Sequence, residues 1–109
     1  MGAIIVFSTC PDAASAERIG AALVEERLVA CVNRISGIES TYRWQGKVCR
    51  DNEVLLLIKT TSERFDAVRE HIVALHPYEL PEIVAVDIAR ALPAYLDWIA
   101  RETGPDVRT

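Results

Sequence analysis

Three short runs in this sequence are apolar at consecutive positions: Ala3 to Phe7, Val54 to Ile58 and Ile83 to Val86. No other feature constrains the fold as tightly. Each run is far too short for a membrane span, which needs about 20 apolar residues, and each reads as a buried strand. A strand with one wetted face alternates apolar and polar side chains. These do not alternate, so both faces of the sheet they build are expected to be dry. Helices of the same chain can cover one face. In a single domain of 109 residues only a second copy is left to cover the other, and the pattern predicts a homo-oligomer with sheets packed together.

The remaining elements fall around these strands. The first strand runs from Ala3 to Thr9 and is broken by Cys10-Pro11-Asp12, with Asp12 placed to cap a helix. From Ala13 to about Leu28, the spacing of Ala16, Ile19, Leu23 and Leu28 predicts an amphipathic helix. Val29 to Trp44 reads as a long strand with a bulge near Ser36-Gly37. Gln45-Gly46 turns it back into a second long strand, Lys47 to Thr61, leaving Tyr42, Arg43 and Trp44 at the hairpin tip. Ser62 is placed to cap a second helix that ends at His76-Pro77. Ile83 to Ala89 forms the fourth strand, and Pro93 opens a last helix that Gly104-Pro105 stops. The order β-α-β-β-α-β plus a terminal helix is the ferredoxin-like α+β pattern, an antiparallel sheet with its two main helices on one face.

Charge and cysteine usage remove several functional classes. A net charge of −4 argues against a nucleic-acid binder, which clusters positive charge. Cys10, Cys31 and Cys49 are an odd number with no Cys-x-x-Cys spacing, which disfavours a disulfide framework or a zinc knuckle. The N-terminal residues carry no basic segment and no spanning stretch, so a soluble cytoplasmic protein without membrane contact is the expectation.

Chemistry-bearing residues gather between two prolines, in His76-Pro77-Tyr78-Glu79-Leu80-Pro81-Glu82. His76 ends a helix, where the dipole favours an imidazolium. It either caps that helix and holds the connector, or ligates a metal or moves a proton. The other histidine, His71, is five residues away, about 140° around a helix, and reads as solvated surface. Glu79 and Glu82 diverge in an extended segment. Cys10, at a helix N-terminus, is either a soft-metal donor or a packed thiol; Cys31 and Cys49 read as strand residues. Tyr42, Arg43 and Trp44 either stack on a ligand or clasp a neighbouring subunit, and the oligomer argument favours the clasp. No nucleophile with an oriented base is present, so an enzyme ranks last.

As a set, the segments resemble the CutA family of divalent-ion tolerance proteins. The matching segments are Cys10-Pro11-Asp12, Ala30-Cys31-Val32-Asn33, Ser40 to Lys47, Glu53, Ile58-Lys59-Thr60-Thr61, His76 to Ile83 and Tyr95-Leu96-Asp97-Trp98-Ile99. The resemblance covers nearly the whole chain in the right order. It implies a ferredoxin-like subunit in a stable homotrimer similar to PII-type signalling proteins, and a role in tolerance to divalent metals, copper above all. The family's copper ligands fall on Ser8, Leu75 and His76, of which only His76 keeps a donor of the expected kind. Two functions follow as expectations. One is a trimeric tolerance protein binding copper or another divalent cation through His76 with Cys10. The other is a small-molecule sensor, for a small anion among other ligands, using an intersubunit cleft of Tyr42, Trp44, Glu53, Lys59, Tyr78, Glu79 and Glu82.

Overall fold

The computed structural model describes residues 2–104. Met1 and residues 105–109 lie outside them, and with these the part of the helix stop expected at Pro105. Among the described residues, β1 (Ala3–Cys10), β2 (Cys31–Trp44), β3 (Lys47–Thr61) and β4 (Val84–Asp87) form one sheet in the order β2-β3-β1-β4. Every neighbouring pair is antiparallel. The helices are α1 (Ala13–Glu25), α2 (Phe65–Leu75) and α3 (Pro93–Glu102). This is the ferredoxin-like α+β arrangement that the element order implies, with α3 added.

Helices α1 and α2 cover one face. Ile4, Val6 and Cys10 of β1 and Val54, Leu56 and Ile58 of β3 pack there against Ile19 and Leu23 of α1 and Val68 and Ile72 of α2. The other face carries Ile5 and Phe7 of β1, opposite Lys59 and Leu57 of β3 and Val86 and Val84 of β4. Helix α3 lies against β1 and β3 and buries Ile99 completely. The middle of this face stays open within one chain: Ile5, Phe7 and Leu57 are part-buried, while Val84 and Val86 are 52% and 49% exposed.

Local chemistry explains most boundaries. Asp12 caps α1, its Oδ1 accepting from the Ser15 amide at 2.8 Å. The hairpin turn is Gln45-Gly46, both with positive φ (51° and 81°), as a two-residue turn joining right-twisted strands requires. The β2–β3 register slips between Ile35 and Ile38, at Gly37 with φ +80°, which is the expected bulge. Beyond it the hairpin projects as an arm, and the molecule reaches 49 Å in its longest dimension. Its radius of gyration of 14.6 Å exceeds the value of about 13 Å for a compact chain of this length.

Strand β1 runs one residue past Thr9, to Cys10, and β2 starts at Cys31, two residues after Val29; three further boundaries differ from the sequence reading. Helix α1 ends at Glu25, short of Leu28. Arg27 takes a left-handed φ of 59°, and the Leu28 amide donates to Leu23 O (3.1 Å) and the Arg27 amide to Val24 O (3.0 Å). That is a Schellman stop with arginine where glycine is usual. The arginine is held there by its own side chain, which donates from Nε to Gly104 O (2.6 Å) and from Nη2 to Arg101 O (3.0 Å). Helix α2 enters through a short 3-10 turn, Ser62–Arg64, so its N-cap position is Arg64 rather than Ser62. Strand β4 spans Val84–Asp87, narrower than 83–89, because its ladder with β1 pairs only Ile4 to Phe7.

Candidate functional site

The connector after α2 organises the site. Pro77 cannot continue a helix and keeps the residue before it extended; His76 accordingly has φ −77° and ψ 137°. Its imidazole then turns onto β1. Nε2 lies 2.7 Å from the Thr9 carbonyl oxygen, and Nδ1 accepts from the Tyr78 amide at 3.1 Å. An accepting Nδ1 places the proton on Nε2, which therefore donates to Thr9. Strand β4 pairs with β1 only as far as Phe7, so the histidine supplies the partner that Thr9 would otherwise lack on that side. His76 is 7% exposed, and its ring lies 4.7 Å from that of Tyr78. Of the two sequence readings, its geometry is that of a clamp on the connector. His71 is part-buried on α2 rather than fully solvated.

With its amide fixed, Tyr78 crosses to the hairpin and donates its hydroxyl to Glu53 Oε2 at 2.8 Å. Burial first, and then this bond, raises the Tyr78 phenol well above its ordinary value. On the arm, the Tyr42 hydroxyl donates to Asp51, and this bond, with lesser contributions from burial, pushes the Tyr42 phenol up to about 12. Connector and arm enclose a cleft of about 700 Å³. Its lining includes Tyr42, Trp44 and Glu53 from the hairpin and Tyr78, Glu79 and Glu82 from the connector. Six of the seven residues proposed for a cleft thus line the same one. Lys59 does not: it lies further along β3, opposite Cys31, and its ammonium donates to Asn33.

The lining also takes in Thr9, Ser40, Thr41 and Leu80, none of which is among the residues proposed for the cleft. Asp51, the Tyr42 partner, was legible in principle. With a two-residue turn at Gln45-Gly46, Tyr42 faces Cys49 and Asp51 is its diagonal neighbour on the same face. Arg43 also lines the cleft.

The donors proposed for copper do not fit a resident ion. Both ring nitrogens of His76 are engaged by backbone groups. Cys10 is fully buried; burial first, then the nearby Asp12 and Glu53 charges, push its thiol up to about 11, which disfavours the thiolate a soft metal needs. Ser8 Oγ is sealed without a hydrogen-bond partner, and Leu75 packs against the core. Among the described residues no three His, Cys, Asp or Glu side chains converge to hold a metal ion.

Fold and site together define a ferredoxin-like α+β domain with a cleft between a β-hairpin arm and a proline-bounded connector. The family model for CutA1 divalent ion tolerance protein matches residues 4–102. The divalent-cation tolerance protein CutA of Thermus thermophilus is 52% identical over 100 residues, covering 92% of this chain and 97% of that protein. The chloroplastic CutA 1 of Oryza sativa is 42% identical over 100 residues, covering 92% of this chain and 56% of the longer relative. The solved CutA structure from Xylella fastidiosa superposes with a TM-score of 0.92 at 49% identity, covering 95% of this chain and 100% of that one. This chain belongs to the CutA1 divalent ion tolerance family.

Proposed function

We propose that this protein acts in divalent-cation tolerance as a non-catalytic homotrimer that senses a small ligand in the cleft between arm and connector. The observation that carries the reading is the convergence of Tyr42, Trp44, Glu53, Tyr78, Glu79 and Glu82 on one cavity. A concave site mixing aromatic walls with a few convergent polar groups is the usual form of a small-molecule site. Self-assembly is supported by the apolar centre of the sheet face, where Phe7, Leu57, Val84 and Val86 want a cover that one chain does not provide. The long arm, with Tyr42, Arg43 and Trp44 near its end, suits a clasp on a neighbouring copy, and such a clasp would set the cleft beside that interface. Three unpaired thiols suit a reducing compartment, the cytoplasm, and among the described residues no helix is long and apolar enough to cross a membrane. The test is a thermal-shift screen of the native protein against a broad panel of small metabolites, with native mass measured in dilute buffer. Ligand-dependent stabilisation of a trimer supports the proposal. A stable monomer, or no stabilisation by any ligand, refutes it.

A second reading, direct binding of copper or another divalent cation by His76 with Cys10, has the family's description in its favour and the donor geometry against it. Titration of wild type and His76→Ala with Cu²⁺ and Cu⁺ decides it: equal affinities remove His76 from any copper site.

A further inference from the structure

The cleft carries a charge signature that narrows its ligand, and this inference rests on the cleft being a ligand site. Glu53 is only 7% exposed. Oε2 accepts from Tyr78, but among the described residues Oε1 has no hydrogen-bond or ion-pair partner, and it is not among the oxygens sealed in the core. Glu53 is among the residues that line the cleft. Thr9, 9% exposed, lines the same cleft with a hydroxyl that has no hydrogen-bond partner among the described residues, His76 taking its carbonyl. A nearly buried carboxylate bonded through only one of its oxygens favours a donor or a positive charge at the other.

The rest of the lining agrees. Glu79 and Glu82 add two carboxylates at the exposed rim. Arg43, the one basic side chain in the lining, makes no ion pair with any of them. The walls are the rings of Tyr42, Trp44 and Tyr78. Carboxylates behind aromatic faces are the arrangement that holds an organic cation, which the rings attract by their quadrupole and the carboxylates by charge and hydrogen bonding. A small anion would meet three carboxylates against one guanidinium.

The geometry points to a protonated amine or guanidinium on a free small molecule as the ligand of this cleft, with its cationic head on Glu53 Oε1 and Thr9 and its chain between the aromatic walls. Isothermal titration of the full chain in its native assembly tests this, using putrescine and agmatine as organic cations, ATP and inorganic phosphate as anions, and Mg²⁺ and Cu²⁺ as metal ions. Saturable binding of an organic cation is expected, weakened at least tenfold by Glu53→Gln, which keeps an acceptor for Tyr78. It is also expected to weaken several-fold in the double variant Glu79→Gln/Glu82→Gln, whose substitutions are exposed and keep the fold. Binding of anions or metal ions without organic cations overturns this inference and leaves the sensor reading standing. Binding of no ligand of any kind overturns both. If Glu53→Gln leaves cation affinity unchanged but shifts the melting of the assembly, the cleft is filled by a basic side chain of a neighbouring copy and the inference also falls.

Discussion

Replacing His76 with alanine separates the clamp from the metal ligand. In the clamp account the imidazole satisfies two backbone groups, the Thr9 carbonyl at 2.7 Å and the Tyr78 amide at 3.1 Å. Truncation strands both. A buried polar group left unsatisfied costs about 1–3 kcal/mol; Thr9 is nine-tenths buried and belongs at the upper end, Tyr78 is part-buried and belongs at the lower. The sum is about 3–4 kcal/mol of destabilisation, before any loss of the Tyr78 bond to Glu53. The glutamine variant keeps an amide donor that can reach Thr9 but offers Tyr78 a poorer acceptor, and is expected to lose about half as much. The assay is guanidinium unfolding at one fixed protomer concentration, because assembly and folding are coupled, with a chelator present throughout. A loss below about 1 kcal/mol for His76→Ala in chelator refutes the clamp. A loss that appears only when copper is supplied would show that the histidine works through the metal.

Other consequences are open to direct measurement. Tyr78→Phe removes the donor to Glu53 and leaves a nearly buried carboxylate with one bond fewer; a destabilisation of about 1–3 kcal/mol is expected by the same unfolding assay. Leu56→Ala, at a fully buried position of the sheet, is expected to cost about 2–5 kcal/mol. Cys10 is buried with its thiol raised to about 11, so it is expected to be the last of the three cysteines modified by a thiol reagent at pH 8, with mass spectrometry of peptides giving the order. Alkaline stability follows from the same shifts. Cys10 and Tyr42 are held protonated in the fold, from 9.0 to about 11 and from 10.0 to about 12. The native state therefore binds more protons than the unfolded chain between those values, and stability falls as pH rises. The unfolding midpoint should be flat with respect to these groups below pH 9 and decline from pH 9 to 12; a midpoint that rises across that window contradicts the assignment.

Much of the fold was legible because it rests on local chemistry that residue types announce. Asp12 caps its helix, Gly37 marks the bulge, Gln45-Gly46 sets the hairpin register, and Pro77 stops α2. The misplaced end of α1 shows the limit of such signals. Its left-handed stop is occupied by Arg27 rather than glycine, and what holds the arginine there is a pair of carbonyls near the end of α3, Arg101 and Gly104. No local pattern reveals a partner some 70 residues away. The site divides the same way. Tyr78, Glu79 and Glu82 are neighbours in sequence, and their meeting with Tyr42, Trp44 and Glu53 depends on the arm and connector leaning over one face. Lys59 was grouped with them as a polar residue on an apolar strand, and is separated because six residues of extended strand carry it about 20 Å from Glu53. His76 drew attention by residue type, whereas the engagement of both its nitrogens is a fact of geometry alone.

The most direct test of the whole account is a crystal structure of the native assembly grown with both agmatine and Cu²⁺, with anomalous data collected at the copper edge. The account predicts ligand density against Glu53 between the rings of Tyr42 and Tyr78, and no anomalous peak within bonding distance of His76 or Cys10. Copper bound to His76 above an empty cleft would contradict it.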